Sequence, residues 1–146
     1  MADPKPCPFC AIATGEAQAH VVFEDAANIA FLDRSPLFHG HVLLIPRAHI
    51  ETIYDADDAT LEAMARGTKR IAVAVTTAME ADGIFVAQNN IVSQSVMHLH
   101  THIVPRSKGD GLFSPRVIWK RVRYPDEAQM AEVAAKIAAA IAGPDQ

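Results

Sequence analysis

One long helical period separates strands from strands in this chain, and that order rules out most architectures. From about Asp57 to Ala81 the side chains Leu61, Met64, Ala65, Thr68, Ile71, Ala72, Val75 and Met79 recur in steps of three and four, the spacing of a helix with one buried face. Asp57 or Asp58 can cap its first turn, and Asp82-Gly83 ends it. Ahead of it stand three short strand-like runs: Val21–Glu24, Ile29–Leu32 and Val42–Ile45, the last closed by Pro46. The third is apolar throughout, as a central strand buried on both faces would be, with the proline at its end. Behind the helix come Ile84–Ala87 and a run from Val96 to Val104 closed by Pro105. A second helix over 126–142 carries Met130, Val133, Ala134, Ile137 and Ile141 on one face and stops at Gly143-Pro144. It could cover its own sheet or that of a second subunit. Because strands and helices do not alternate regularly, the fold class is read as α+β, an antiparallel sheet with helices against one face. Cys7 to Gly15 predicts one further helical turn, and the proline-rich residues 1–6 are expected to fray.

The chain has 146 residues, half of them hydrophobic, which fits one domain with a real core. Residues 1–106 are read as the main domain and 107–146 as a tail with a helix in the same compact unit. The formal net charge is −4, from 17 acidic and 13 basic residues. That weighs against a broad nucleic-acid surface, but not against a small phosphate ligand at one local cationic site. No apolar run approaches the roughly 20 residues of a membrane span. Met1 to Pro8 lacks the apolar core of a secretory signal. The expected compartment is the cytoplasm, with no membrane partner. There Cys7 and Cys10 stay reduced unless bound or catalytic.

The chemistry concentrates in His98-Leu99-His100-Thr101-His102. On a strand, successive side chains point to opposite faces, so the three histidines share one face at steps of about 6.6–6.8 Å. A single histidine is more often structural than functional, and a solvent-facing row by chance is the bland alternative. Burying three imidazoles in a row, however, is costly unless each is partnered. Two chemistries suit the row. Three histidines can hold a catalytic zinc. Alternatively, a neutral imidazole with one nitrogen fixed by a hydrogen bond can attack phosphorus through the other. The central His100, with a neighbour on each side to orient it or to move protons, fits the second. Asn89 to Ser95 supplies neutral hydrogen-bonding groups before the row, and Arg106 a cation after it. These groups suit a phosphate better than a water-activating metal.

These motifs resemble the histidine triad superfamily. His98-Leu99-His100-Thr101-His102-Ile103-Val104 is similar to its signature, and Gln94-Ser95-Val96 to the Gln-x-Val ahead of it. Phe31-Leu32-Asp33-Arg34-Ser35-Pro36 resembles its Phe-x-Asp-x-x-Pro segment. Gly40-His41-Val42-Leu43-Leu44-Ile45-Pro46-Arg47-Ala48-His49 resembles its Gly-His-hydrophobic-Ile-Pro-Lys-x-His segment, and Cys7-x-x-Cys10 with Gly15-Glu16 the start of many bacterial members. The resemblance covers roughly residues 7–106. It implies a five-stranded antiparallel sheet with two main helices, usually in a homodimer, nucleoside 5′-phosphate ligands, and a transient nucleotidyl-histidine. By that resemblance His100 is the nucleophile, His98 and His102 flank it, and His41 lies near. Asp33 would accept from ribose hydroxyls. Phe9, Ile12 and Phe31 or Leu32 would pack around the base. Asn89 or Asn90, Gln94 and Ser95 would contact the α-phosphate and leaving group. Where many relatives are glycine-rich between the asparagine and the glutamine, this chain carries Ile91-Val92-Ser93.

Cys7-x-x-Cys10 admits three readings: a redox dithiol, two inert thiols, or half of a structural zinc site. A dithiol would open a helix after a strand, and only six residues precede this pair. The resemblance to zinc-containing bacterial members implies a structural zinc on Cys7, Cys10, His49 and a triad-strand histidine, His98 or else His102. No organic cofactor is expected. His20 and His39 fall in predicted loops, and Trp119 in the basic tail is read as packing or a dimer contact. The leading expectation is a nucleotide hydrolase or nucleotidyl transferase acting at the α-phosphorus of a purine nucleoside phosphoramidate, acyl nucleotide or dinucleoside polyphosphate. The alternatives are a nucleotide-binding regulatory module with little turnover and a metallohydrolase with the triad as zinc ligands.

Overall fold

Alternating burial along two adjacent strands decides how the chain is layered. In the computed structural model, which describes residues 6–114 and 121–143, β2 (Asn28–Leu32) and β3 (Val42–Pro46) are buried at every position. Ala30, Leu32, Val42 and Leu44 face one core, while Ile29, Phe31, Leu43 and Ile45 face another. The remaining strands are β1 (Val21–Glu24), β4 (Gly83–Ala87) and β5 (Thr101–Arg106). Together they form one five-stranded sheet in the order β1-β2-β3-β5-β4, antiparallel at every pairing.

The larger core is roofed by two helices, α2 (Asp58–Ala78) and α3 (Glu127–Ile141). Each starts on an aspartate whose side chain accepts a backbone N–H two or three positions into the helix: Asp57 from Thr60, and Asp126 from Gln129. From α2, Ile71, Ala74 and Val75 enter the core. From α3 come Met130, Val133, Ala134, Ile137 and Ile141, so this helix covers its own sheet. Burial of these apolar surfaces is the main favourable term in holding helices to sheet. The opposite face carries the short α1 (Pro8–Ala13), whose Phe9 packs with Phe31 and Leu43. The site lies on this second face.

Three expectations are corrected. The run 96–104 is not one strand: β5 begins at Thr101. Its ladder with β3 pairs only Val42 with Ile103, Leu43 with His102 and Leu44 with Thr101. Before that point Leu99 N–H donates to the Ile50 carbonyl at 2.7 Å, and His98 N–H turns back to Val96 at 2.9 Å. His98 and His100 therefore sit on an extended lead-in rather than in the sheet. Pro105 does not close the strand but lies within it, opposite Ile84 of β4. It is tolerated because the β3 ladder has already ended, so a missing N–H on that side costs nothing. Finally, α2 ends at Ala78 instead of Ala81, with Glu80 at φ 51° turning the chain. Trp119 lies outside the described residues. Among the described residues no helix is long and apolar enough to cross a membrane.

Candidate functional site

The site is assembled from backbone upward. His100 is 2% exposed. Its Nδ1–H donates to the carbonyl of His98 at 2.7 Å. That bond fixes the tautomer, leaving Nε2 bare toward a cavity of about 430 Å³. Phe9 stands edge-on to the His100 ring at 5.2 Å between centroids and edge-on to Phe31 at 5.4 Å. With Ile12 and Leu32 they give the cavity an apolar wall, and Asp33 lies at its polar end. Burial above all holds the His100 imidazole below its ordinary pKa, against the His98 carbonyl and Asp33, which favour protonation. At neutral pH the ring is an uncharged base with one lone pair available, as a nucleophile requires.

His102 is oriented by a relay the sequence did not reveal. Leu37 N–H donates to His41 Nδ1 at 3.0 Å, so His41 carries its proton on Nε2. That proton goes to His102 Nδ1 at 2.9 Å, which sets the His102 proton on Nε2. Gly40, at φ 92°, makes this placement possible: a Cβ there would stand 2.7 Å from Met79 Cγ. His41 is fully buried. Desolvation pushes its pKa down to about 3, opposed by Asp33. The same cause, joined by His100, brings His102 down to about 4.

His98 faces the other way. Its Nε2–H donates to the Pro46 carbonyl at 2.8 Å. Nδ1 is thereby bare and lies 3.4 Å from Cys7 Sγ and 3.5 Å from Cys10 Sγ. His49 Nδ1 is 3.2 Å from Cys10 Sγ, and all four ligand atoms fall within 4.8 Å of one another. Thiolate and imidazole ligands on a tetrahedral zinc stand about 3.5 Å apart, given metal bonds of about 2.3 and 2.0 Å. The donor set, the spacing and the carbonyl that orients His98 all fit zinc. Burial, and then the adjacent Cys7, hold the Cys10 thiol above its ordinary pKa.

The expected site residues divide accordingly. Phe9, Ile12, Phe31, Leu32, Asp33, Ser95, His100 and His102 line the main cavity. Asn89 joins Ser93, Ser95 and His102 around an adjoining compartment. Asn90 and Gln94 are not brought to either. Asn90 accepts from Ile53 N–H at 2.7 Å. Gln94 accepts from Ile91 N–H at 2.8 Å and donates to the Glu51 carbonyl at 2.6 Å. Gln94 thus holds a loop in which Ile91 and Ser93 adopt φ 71° and 62°, a conformation costly for a β-branched residue. His41 and His98 stand behind the cavity wall. The three triad histidines do not converge on one centre: among the described residues His98 belongs to the cysteine cluster and His102 to a group with Asp33 and His41. Sequence reasoning missed Arg121, whose Nη1 donates to Asp33 Oδ2 at 2.9 Å across 88 residues.

A HIT domain model matches residues 14–109. The chain belongs to the HIT family. It is 38% identical over 117 residues to the protein hit of Bacillus subtilis, covering 78% of this chain and 79% of that protein. It is 34% identical over 110 residues to the adenylylsulfatase HINT3 of Arabidopsis thaliana, covering 74% of this chain and 56% of the plant protein. A zinc-bound histidine triad family protein from Mycobacterium smegmatis superposes with a TM-score of 0.81 at 35% identity, covering 93% of each chain.

Proposed function

We propose that this HIT protein is a nucleotide hydrolase or nucleotidyl transferase in which His100 Nε2 attacks the α-phosphorus of a purine nucleoside 5′-phosphate derivative. The observation that carries it is the 2.7 Å bond from His100 Nδ1 to the His98 carbonyl, which presents a bare Nε2 to a cavity with an apolar wall for a base and a carboxylate for a sugar. As the N–P bond forms, the bond to the leaving group breaks and its electron pair departs with that group. The ring becomes cationic, its Nδ1–H still held by the carbonyl. Water then attacks phosphorus, the N–P pair returns to Nε2, and a nucleoside monophosphate leaves. Asn89 and Ser95 are positioned to meet the phosphate oxygens, and His102, held by His41, to exchange a proton beside them.

We propose further that Cys7, Cys10, His49 and His98 hold a structural zinc. It would fix the carbonyl that orients His100 and would take no part in the reaction. The adenylylsulfatase name of one relative and the zinc-bound state of another support the two readings respectively.

The test is AMP release from diadenosine tetraphosphate and from adenosine 5′-phosphoramidate, with His100→Ala as control. Release that drops by about 10⁴-fold or more in the variant is expected for a covalent nucleophile. AMP binding without release from either compound would instead favour a nucleotide-binding regulator.

A further inference from the structure

The cavity at His100 has a second compartment, and its charge says what belongs there. About 370 Å³ in volume, it is lined by Asn89, Ser93, Ser95, His102 and Arg121. Ser95, His102 and Arg121 also line the main cavity, so the two adjoin. The main compartment holds the apolar wall and Asp33. The second has no apolar side chain among those five residues, and among the described residues Arg121 is its one fixed cation.

Arg121 is held in place. Its Nη1 donates to Asp33 Oδ2 at 2.9 Å and also to the Ser35 carbonyl. The segment carrying it is clamped to the loop before β3. Val122 N–H donates to the Pro36 carbonyl at 2.7 Å. Gly40 N–H donates to the Tyr124 hydroxyl at 3.0 Å, and His39 stacks on the Tyr124 ring at 4.4 Å. A guanidinium has five N–H donors in a rigid fork. Binding through one nitrogen orients the fork without using it up. Such a preset cation favours charge that develops opposite it, with no reorganisation at the moment of reaction.

The inference rests on the hydrolase reading and narrows its substrate class: we propose that Arg121 makes the second compartment the subsite of an anionic leaving group. The enzyme would then prefer nucleotides that release a phosphate chain over phosphoramidates that release a neutral amine. When the α-phosphorus bonds to His100 Nε2, the bond to the bridging oxygen breaks. The electron pair stays on that oxygen, so the leaving phosphate departs with one more negative charge and needs no proton. Arg121 stabilises that charge. An amine leaving group must instead take up a proton, and a guanidinium beside it gives no help.

The test compares kcat/KM for diadenosine tetraphosphate and adenosine 5′-phosphoramidate in the full chain, in Arg121→Gln and in Arg121→Lys. Both substrates carry the same adenosine, so any disturbance of Asp33 weighs on them equally and cancels in the ratio. Arg121→Gln is expected to lower turnover of the tetraphosphate by about 10- to 100-fold, the effect of one charged hydrogen bond. The ratio of tetraphosphate to phosphoramidate turnover should fall by about that same factor, with part of the loss restored in Arg121→Lys. Equal losses on both substrates, or none on either, would overturn the proposal and leave the hydrolase reading standing. Turnover that survives His100→Ala would overturn both.

Discussion

His98 and His102 stand two residues either side of His100, and the fold gives them opposite company. At the His98 end, two thiols and His49 crowd a bare Nδ1. At the His102 end, a second imidazole donates to Nδ1 and a carboxylate lies behind it, with His41 Nε2 3.8 Å from Asp33 Oδ2. Identical side chains at equal spacing thus face a set of metal-ligating groups on one side and a hydrogen-bonded imidazole beside the cavity on the other. The neighbours decide, by offering either soft anionic donors or a proton in a fixed position. His100 in the middle owes its tautomer to neither ring but to the backbone carbonyl of His98. Under the proposed function, a metal held at the His98 end would therefore act on His100 through the main chain.

The sharpest way to break the contrast is to empty the His98 end. Cys7→Ser with Cys10→Ser removes both sulfurs, and chelation withdraws the metal without mutation. A structural metal present at about a thousandfold over its Kd adds about 4 kcal/mol, which is about 10–15 °C of Tm for a chain of this size. Metal analysis should find one zinc per chain in the unmodified protein and none in the double variant, with that drop in Tm. A chain purified without zinc whose Tm ignores chelator would sink the assignment.

Acid tests the other end. His41 and His102 are held to about 3 and about 4 by burial, against about 6.5 in an unfolded chain. Below pH 6.5 the unfolded state binds more protons than the folded one, so stability falls as pH drops and is constant above about 7.5. Each histidine contributes at most about 1.4 kcal/mol per pH unit. Both remain neutral in the folded state at pH 5, so we expect about 2 kcal/mol lost per histidine and about 4 kcal/mol for the pair between pH 7.5 and 5. Urea midpoints at the two pH values, measured in chelator to silence the cysteine end, should show it. Equal midpoints would mean that the pair is not held neutral.

How much of this could be read in the sequence follows the range of the signal. Periodicity placed α3 with the five residues that enter its core, and placed β2 and β3, because burial on a face is written in local spacing. The boundary at Thr101 was not local. It depends on the β3–β5 ladder breaking off at Leu44, before β3 itself ends at Pro46, and on Ile50 accepting from Leu99, and alternation continues through both. Gln94 and Asn90 belong to a polar loop, and composition says nothing of which amides turn inward. Arg121 was hidden for the same reason: its partner is Asp33, and nothing nearby in the chain marks a lone arginine in a basic tail.

The finest test separates the two nitrogens of His41. Gln places its amide nitrogen roughly where Nε2 stands, and Asn places its amide group near Nδ1. His41→Gln should therefore keep the donor to His102 and lose the acceptor for Leu37 N–H, lowering stability with kcat largely retained. His41→Asn should keep the loop contact and leave His102 Nδ1 without its donor. The His102 ring can then turn or exchange tautomers, and kcat should drop by about 10- to 100-fold, the usual cost of removing a group that orients a reacting one. If both variants lose kcat alike, His41 serves only to fill space at that end. If Asn alone loses it, the hydrogen bond to His102 is what separates a reacting histidine from a ligand one.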